Sequence, residues 1–167
     1  MSDQESPSVP AGMSLATVWE TVADTVPDAP ALAHGDLVRT WSELEQRSAR
    51  IAAHLDAAGV GHDAKVACYL YNGPEYLEAT FAAFKVRAVP INVNYRYLEA
   101  ELQYLLDNAD AEAVVFDAEF VERLDHVRSS LPGVRVWLCV GSDAEHPLPE
   151  WAEDYEASIA AAEPMPR

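Results

Sequence analysis

Asn92, Asn94 and Arg96 are the polar side chains of this sequence that are best placed to bind something. They alternate with apolar residues at the point where an apolar, strand-like segment ends. Amide and guanidinium groups in that position can contact a ligand or a partner domain. They can also tie down the loop that leaves the strand by bonding its backbone. We favour the loop interpretation, and contact with a ligand or a partner stays open as the alternative.

The segment Gly59-Val60-Gly61-His62-Asp63-Ala64 matches the G-x-G-x-x-A pattern that binds dinucleotide pyrophosphates. That chemistry requires a strand before the glycines and a helix after them, so that the helix N-terminus meets the phosphate. Here the order is reversed, because a helical pattern precedes the segment and a strand-like pattern follows it. We therefore interpret Gly59 as the left-handed residue that ends a helix.

Asn72 and Gly73 lie between a strand pattern and a helix that begins with Pro74, at the first helical position where proline is tolerated. We expect Asn72 or Gly73 to cap that helix. Turns of this kind can lie at the carboxyl ends of parallel strands, where ligands often bind. A direct ligand role for Asn72 is the less favoured alternative.

The histidines and acidic clusters show no catalytic or metal-binding spacing. Asp125-His126 and His62-Asp63 are sequence neighbours, which rarely face each other on a helix, and no third group completes a catalytic set. The acidic run 107–112 lacks the alternating ligands and the glycine of a calcium loop. Metal-ligand spacing is also missing from the other histidines, His34, His54 and His146. We assign no catalytic, cofactor-binding or metal-binding residue.

Composition narrows the function classes further. The chain has 167 residues, half of them hydrophobic, which is enough for one domain with a buried core. Its net charge of −17 repels phosphate backbones and argues against nucleic-acid binding. We expect no transmembrane segment and no targeting signal. Cys68 and Cys139 lie in apolar runs, which favours buried thiols in a cytoplasmic protein over a disulfide or a catalytic cysteine.

The amino-terminal part of the chain is predicted to form a helix, a β-hairpin and a second helix. Ser14 is the expected N-cap of the first helix. The hairpin spans residues 31–41, with its turn near Gly35-Asp36. Ser42 and Glu45 are predicted to form a capping box at the start of the second helix. The predicted apolar face of the first helix consists of Leu15, Val18, Trp19 and Val22.

Strands and helices alternate after that, and apolar runs fill the strands. This pattern predicts an α/β fold with a mostly parallel sheet and helices on both faces. We expect a disordered tail at 1–13, one α/β domain at 14–163 and the start of a linker at 164–167. The predicted strands, all buried, are 66–71, 88–93, 113–116 and 134–140. Two predicted helices span 74–85 and 98–107, the second with an apolar face of Leu98, Leu102, Leu105 and Leu106. Two further helices are predicted, one capped by Asp117 and one carrying Trp151, Tyr155 and Ile159.

Several segments together resemble the amino-terminal subdomain of acyl-CoA synthetases of the AMP-binding, adenylate-forming superfamily. Each is weak alone, but they stand in the family's order and cover residues 14 to about 163. His62 and Arg87 depart from the pattern, since the family usually has glycine there. NVNYRY at 92–97 is close to the actinobacterial fatty-acid and steroid-side-chain enzymes. The matching segments are TWSEL at 40–44, DAKVA at 63–67, Asn72 with Glu75, FKVRAVPIN at 84–92, ELQYLL at 101–106 and Tyr155-Glu156.

The resemblance implies part of the adenylate-forming domain and a two-step reaction of the whole enzyme. A carboxylic acid and Mg-ATP give an acyl-adenylate and pyrophosphate, and CoA then displaces AMP. The family's phosphate loop, adenine-pocket motif, ribose-binding Asp and catalytic Lys have no counterpart in these 167 residues, so the resemblance carries over no site residue for ATP, Mg²⁺ or CoA.

Two hypotheses follow from the resemblance. The first is an amino-terminal fragment of a long-chain fatty-acid or steroid-side-chain acyl-CoA synthetase that is inactive alone and has the remainder of the synthetase as its partner. The alternative is a non-enzymatic module that docks on an intact synthetase or a partner subunit. Both predict a sheet edge or an apolar face that is left bare, because the rest of the enzyme normally covers it, and uncovered apolar surface could support self-association.

Overall fold

The computed structural model describes residues 14–167, so the predicted disordered tail lies outside the described residues. The helix, hairpin and second helix form as predicted, and Ser14 is the N-cap, with its hydroxyl accepting the Thr17 N–H. Gly35 in the hairpin turn and Gly59 after the second helix both have positive φ, which confirms the predicted turn and helix stop. These elements are α1 (Leu15–Thr25), β1 (Pro30–His34), β2 (Leu37–Thr40) and α2 (Trp41–Ala57).

The rest of the described chain alternates between strands and helices around one parallel sheet. Its five strands lie in the order β4-β3-β5-β6-β7, and every neighbouring pair is parallel, as predicted. The elements are β3 (Lys65–Tyr69), α3 (Pro74–Lys85), β4 (Val89–Asn92), α4 (Glu99–Asn108), β5 (Ala111–Asp117), α5 (Val121–Val127), β6 (Val136–Val140), β7 (Glu153–Asp154) and α6 (Tyr155–Ala161).

Helices cover both faces of this sheet and create two apolar cores. One core packs α2, α3 and α6 against the sheet, and the other packs α4 and α5 against the opposite face. Alternation of side chains along each strand sends successive residues into different cores: in β3, Val66 and Cys68 face the first, whereas Ala67 and Tyr69 face the second. This burial on both faces explains the continuous apolar runs in the sequence.

The predicted capping box at Ser42 and Glu45 is wrong, because the cap lies two residues earlier. Thr40 is the N-cap of α2: its hydroxyl accepts the Glu43 N–H at 3.2 Å, and the Glu43 carboxylate accepts the Thr40 N–H at 2.7 Å. Thr40 is also the last residue of β2 and keeps extended dihedral angles. The end of the hairpin, rather than the helical pattern alone, therefore sets the start of the helix.

Two predicted apolar faces are partly wrong. Leu15 and Val18 are 56% and 50% exposed, while Ala16 and Ala23 are the buried residues of α1. Leu98 is 53% exposed because it is the N-cap of α4 rather than a residue of its inner face. Packing of each helix against its neighbours, which periodicity alone does not encode, decides which side faces the core.

The segment predicted as a buried strand at 88–93 forms an edge strand, β4. Val89 is 44% exposed and Asn92 is exposed, although Val93 just beyond the strand is buried. Pro90 is the signal in the sequence for an edge strand, since proline within a sheet is confined mainly to edge strands and bulges. The two-residue strand β7 at the opposite edge was not predicted.

Charged residues fasten α1 and the last described residues to α2 and α3. The Lys85 side chain is 5% exposed, and its ammonium nitrogen lies 2.6 Å from a Glu20 oxygen and 2.7 Å from a Glu45 oxygen. The Met165 N–H donates to the Ala49 carbonyl at 2.9 Å, and the Met165 side chain packs against the first core. Residues 162–167 thus run along the outside of α2.

Candidate functional site

The polar exit of β4 is a tied-down turn at its centre. The Asn94 carboxamide oxygen accepts the Arg96 N–H at 3.0 Å, as the loop interpretation predicts. Asn92 and Arg96 are exposed, and the Arg96 guanidinium carbon lies 5.5 Å from the centre of the Tyr95 ring. Asn94 therefore shapes the loop, while Asn92 and Arg96 remain accessible at the carboxyl end of the sheet.

Arg123 on α5 holds this loop in place, a role that no pattern in the sequence indicates. Its Nη1 donates to the Tyr69 hydroxyl at 3.0 Å and to the carbonyls of Tyr95 at 2.9 Å and Tyr97 at 3.3 Å. Burial raises the pKa of the Tyr69 phenol, which therefore stays protonated. The cluster anchors the β4 exit to α5 across the sheet end and offers no activated nucleophile.

Aromatic and acidic residues meet where the loops after β3 and β5 leave toward opposite faces of the sheet. The centre of the Tyr71 ring lies 5.1 Å from that of Tyr95, and the Tyr71 hydroxyl donates to Glu119 at 3.1 Å. Asp117 accepts the Glu119 N–H as the predicted cap, and burial raises the pKa of the Asp117 carboxyl. Where the loops of two adjacent strands leave toward opposite faces, a crevice forms at the carboxyl ends of the strands, and ligands often bind there in open α/β sheets. Here the Tyr71–Glu119 hydrogen bond spans that crevice.

A cavity of about 400 Å³ lies beside this end of the sheet, between the hairpin and the start of α3. Gly73 is the N-cap of α3 with Pro74 next, which confirms one of the two predicted caps. Asn72 is exposed and lines the cavity. The other lining residues are Leu32, Ala33, His34, Tyr76 and Leu77, so the walls are mostly apolar.

The most buried charge of the described chain is the Glu78 carboxylate on α3, which is fully inaccessible. It accepts a hydrogen bond from Arg47 Nε at 2.8 Å and one from the Tyr155 hydroxyl at 3.1 Å, and Arg39 Nε forms an ion pair with it at 3.0 Å. Arg47 also bonds Glu156 through its two terminal nitrogens. The network joins β2, α2, α3 and α6, so its chemistry is structural: it secures the hairpin and α6 to the sheet layer.

Both cysteines are free and buried, as predicted. Burial raises the pKa of the Cys68 thiol to about 12 and that of Cys139 to about 11, so neither is an available thiolate at neutral pH. His62 lies 3.2 Å from Asp63, but both side chains are about four-fifths exposed. His126 pairs with Glu99 at 3.5 Å rather than with neighbouring Asp125.

The residues present do not fit ATP and Mg²⁺, which the family resemblance implies for the whole enzyme. Within residues 14–167, no group of three His, Cys, Asp or Glu side chains is arranged to hold a metal ion. The glycines are isolated from one another except Gly59 and Gly61, and these follow a helix instead of preceding one. A phosphate cradle needs consecutive backbone N–H groups at a glycine-rich turn before a helix. No step of adenylation is therefore assigned to this chain.

Comparison with known proteins places this architecture in a family. The family model of the AMP-binding enzymes matches residues 19–166. The chain is 38% identical over 154 residues to the 3-oxocholest-4-en-26-oate–CoA ligase of Rhodococcus rhodochrous, covering 91% of this chain and 28% of that protein. It is 33% identical to the medium-chain acyl-CoA ligase Mig of Mycobacterium avium, covering 92% of this chain and 30% of that ligase.

Solved structures share the same fold. The anthranilate–CoA ligase AuaEII, in complex with anthranoyl-AMP, superposes with a TM-score of 0.85 at 17% identity, covering 93% of this chain and 29% of that one. Apo MbtA of Mycobacterium smegmatis gives 0.78 at 27% identity, covering 93% and 28%. The chain thus spans just under a third of the length of these relatives.

No helix within residues 14–167 is long and apolar enough to cross a membrane. The match over 19–166 shows that the chain belongs to the AMP-binding enzyme family.

Proposed function

We propose that this chain is the amino-terminal part of a fatty-acid or steroid-acid CoA ligase and serves there as a scaffold. The observation that carries the proposal is the family match over residues 19–166, together with 38% identity to a steroid-acid CoA ligase. The whole enzyme would join a carboxylic acid to CoA through an acyl-adenylate, using ATP and Mg²⁺. We place it in the cytoplasm, where those substrates are made and used.

The 167-residue chain by itself does not catalyse adenylation on this proposal. Its buried polar groups serve packing: Glu78 joins four elements, and Arg123 fixes the exit of β4. The partner of the chain is accordingly the remainder of the synthetase.

A chimera tests this role. The matching 28% of the Rhodococcus ligase is replaced by residues 14–167, and formation of 3-oxocholest-4-en-26-oyl-CoA is measured. We expect a folded chimera with activity well above that of the Rhodococcus protein truncated by that same matching segment. A chimera that folds and binds ATP, yet forms no more product than the truncated protein, would show that this chain is not an equivalent amino-terminal part.

The second candidate function is a docking module without enzymatic activity. It is favoured by the apolar surface left bare on the described chain, where Leu15, Val18 and Tyr104 are at least half exposed. This candidate predicts that the purified chain binds an apolar dye and associates with an intact synthetase or partner subunit in trans. A monomer by light scattering with no dye binding would argue against the module and equally against an orphaned fragment.

The DNA immediately downstream separates the two candidates at little cost. A reading frame that continues into a glycine-rich phosphate loop supports a synthetase, either split or truncated. An unrelated gene in that place supports the module.

A further inference from the structure

β4 forms an open edge of the parallel sheet. One side of it pairs with β3, with Val66 opposite Pro90, and the other side has no partner strand in the described chain. Val89 and Asn92 are exposed there. An open edge normally presents a row of free N–H and C=O groups on which another chain can add a strand.

The backbone groups of successive residues point to opposite sides of a strand. In β4 the Val89 N–H donates to the Ala64 carbonyl at 2.8 Å, and just beyond it the Val93 N–H donates to the Cys68 carbonyl at 3.1 Å. The odd-numbered residues therefore bond β3. It follows that Pro90 and Asn92 turn their backbone groups toward the open edge.

Proline has no N–H, so the edge lacks one of the two donors that the four residues of β4 would otherwise offer. The pyrrolidine ring also occupies the position from which a partner carbonyl would approach. Asn92 remains as the single outward donor of the strand. One donor cannot fix the register of an added strand, which needs repeated pairs of bonds.

We propose that Pro90 protects the β4 edge against strand addition by a second copy of this chain. Every copy presents the same edge, so two copies could pair their β4 strands antiparallel about a twofold axis. Pro90 removes a donor from both strands of such a pair at once. The same block applies to strand addition by any other chain.

The variant Pro90→Val tests the proposal, because it restores the missing donor with a residue that favours strands. We expect self-association at least about tenfold stronger than in the unaltered chain, measured by sedimentation velocity over a concentration series, since one or two added hydrogen bonds contribute on that order. Ile91→Val is the matched control: its N–H points to β3, so it should sediment like the unaltered chain. The double variant Pro90→Val/Asn92→Pro removes the other outward donor and should restore the unaltered behaviour.

Two outcomes would overturn the proposal. One is a folded Pro90→Val variant, verified by circular dichroism and urea unfolding, that sediments like the unaltered chain at every concentration. The other is equal association of Ile91→Val, which would assign the effect to a looser core. If Pro90→Val does not fold, Pro90→Ala restores the same N–H with a smaller side chain. The same two outcomes would overturn the proposal for that variant.

Discussion

Arg87 is held in a backbone conformation that its side chain disfavours. Its φ is +62°, in the left-handed region, where an ordinary residue costs about 1–2 kcal/mol. Arg87 is also the position at which the resembled family usually has glycine. Its carbonyl accepts the Asp63 N–H at 3.0 Å, so the conformation is fixed by the fold.

Arg87→Gly should therefore stabilise the protein. Relief of the strain is partly offset by the greater freedom of glycine in the unfolded chain, about 0.4–1 kcal/mol, which leaves a net gain of about 0.5–1 kcal/mol. The midpoint of urea unfolding measures this gain. Arg96→Gly is the control: Arg96 is exposed and lacks positive φ, so that variant should lose stability or stay unchanged. Equal effects of the two changes would contradict the strain argument.

The two buried thiols make a prediction about reactivity and pH. Cys68 and Cys139 should not react with a thiol reagent in the native protein at pH 8, and both should react in denaturant. Their pKa values rise from an ordinary 9.0 to about 12 and about 11 on folding, so above pH 9 the unfolded chain binds fewer protons than the native one. The free energy of unfolding must then fall as the pH rises from about 9 to 12. Rapid labelling of a native thiol at pH 8 would be inconsistent with this burial.

At the scale of elements, local signals predicted those parts of the fold that local chemistry determines. Pro74 at the start of α3 and the glycine that ends α2 stand where the sequence indicated. Other features depend on contacts between elements. The capping box begins at Thr40 because the hairpin keeps that residue extended. Leu15 faces solvent because α1 packs through Ala16, Trp19 and Ala23.

The role of Glu78 could not be predicted for the same reason. A glutamate inside an amphipathic helix is typical of an exposed position, and its three partners are 31, 39 and 77 residues away in the sequence. Arg123, similarly, meets the β4 exit only after the sheet has formed. The role of Asn94 could be predicted because its hydrogen-bond partner is two residues away. The roles of Glu78 and Arg123 could not, because their partners are distant in the sequence.

Glu78→Gln should destabilise the packing of the hairpin and α6 against the sheet layer. The change leaves Arg39 and Arg47 without their buried counter-charge, and both side chains are less than one-fifth exposed. We expect a loss of about 2–3 kcal/mol in the free energy of unfolding, somewhat below the value for a fully buried pair because the arginines keep some solvent contact. Glu156→Gln is the matched control, since Glu156 is 61% exposed and should lose less than about 1 kcal/mol. Similar losses for both variants would refute a special role for Glu78.

At the scale of the whole molecule, residues 14–167 form a two-sided core whose most buried polar groups bond to one another. The sheet is covered on both faces by helices of this chain, which predicts that residues 14–167 fold without other domains. The buried carboxylate, the thiols and the arginine cluster all serve packing. The chain belongs to an adenylate-forming family and is proposed to provide the framework for chemistry located elsewhere.

Pyrophosphate release is the most direct test of that account. The purified 167-residue chain is incubated with ATP, Mg²⁺, CoA and a panel of fatty acids and steroid acids, beside the intact Rhodococcus ligase as the positive control. The account predicts no acid-dependent pyrophosphate above background from the chain. Saturable release that requires the acid, and that persists after removal of contaminating synthetases, would contradict it.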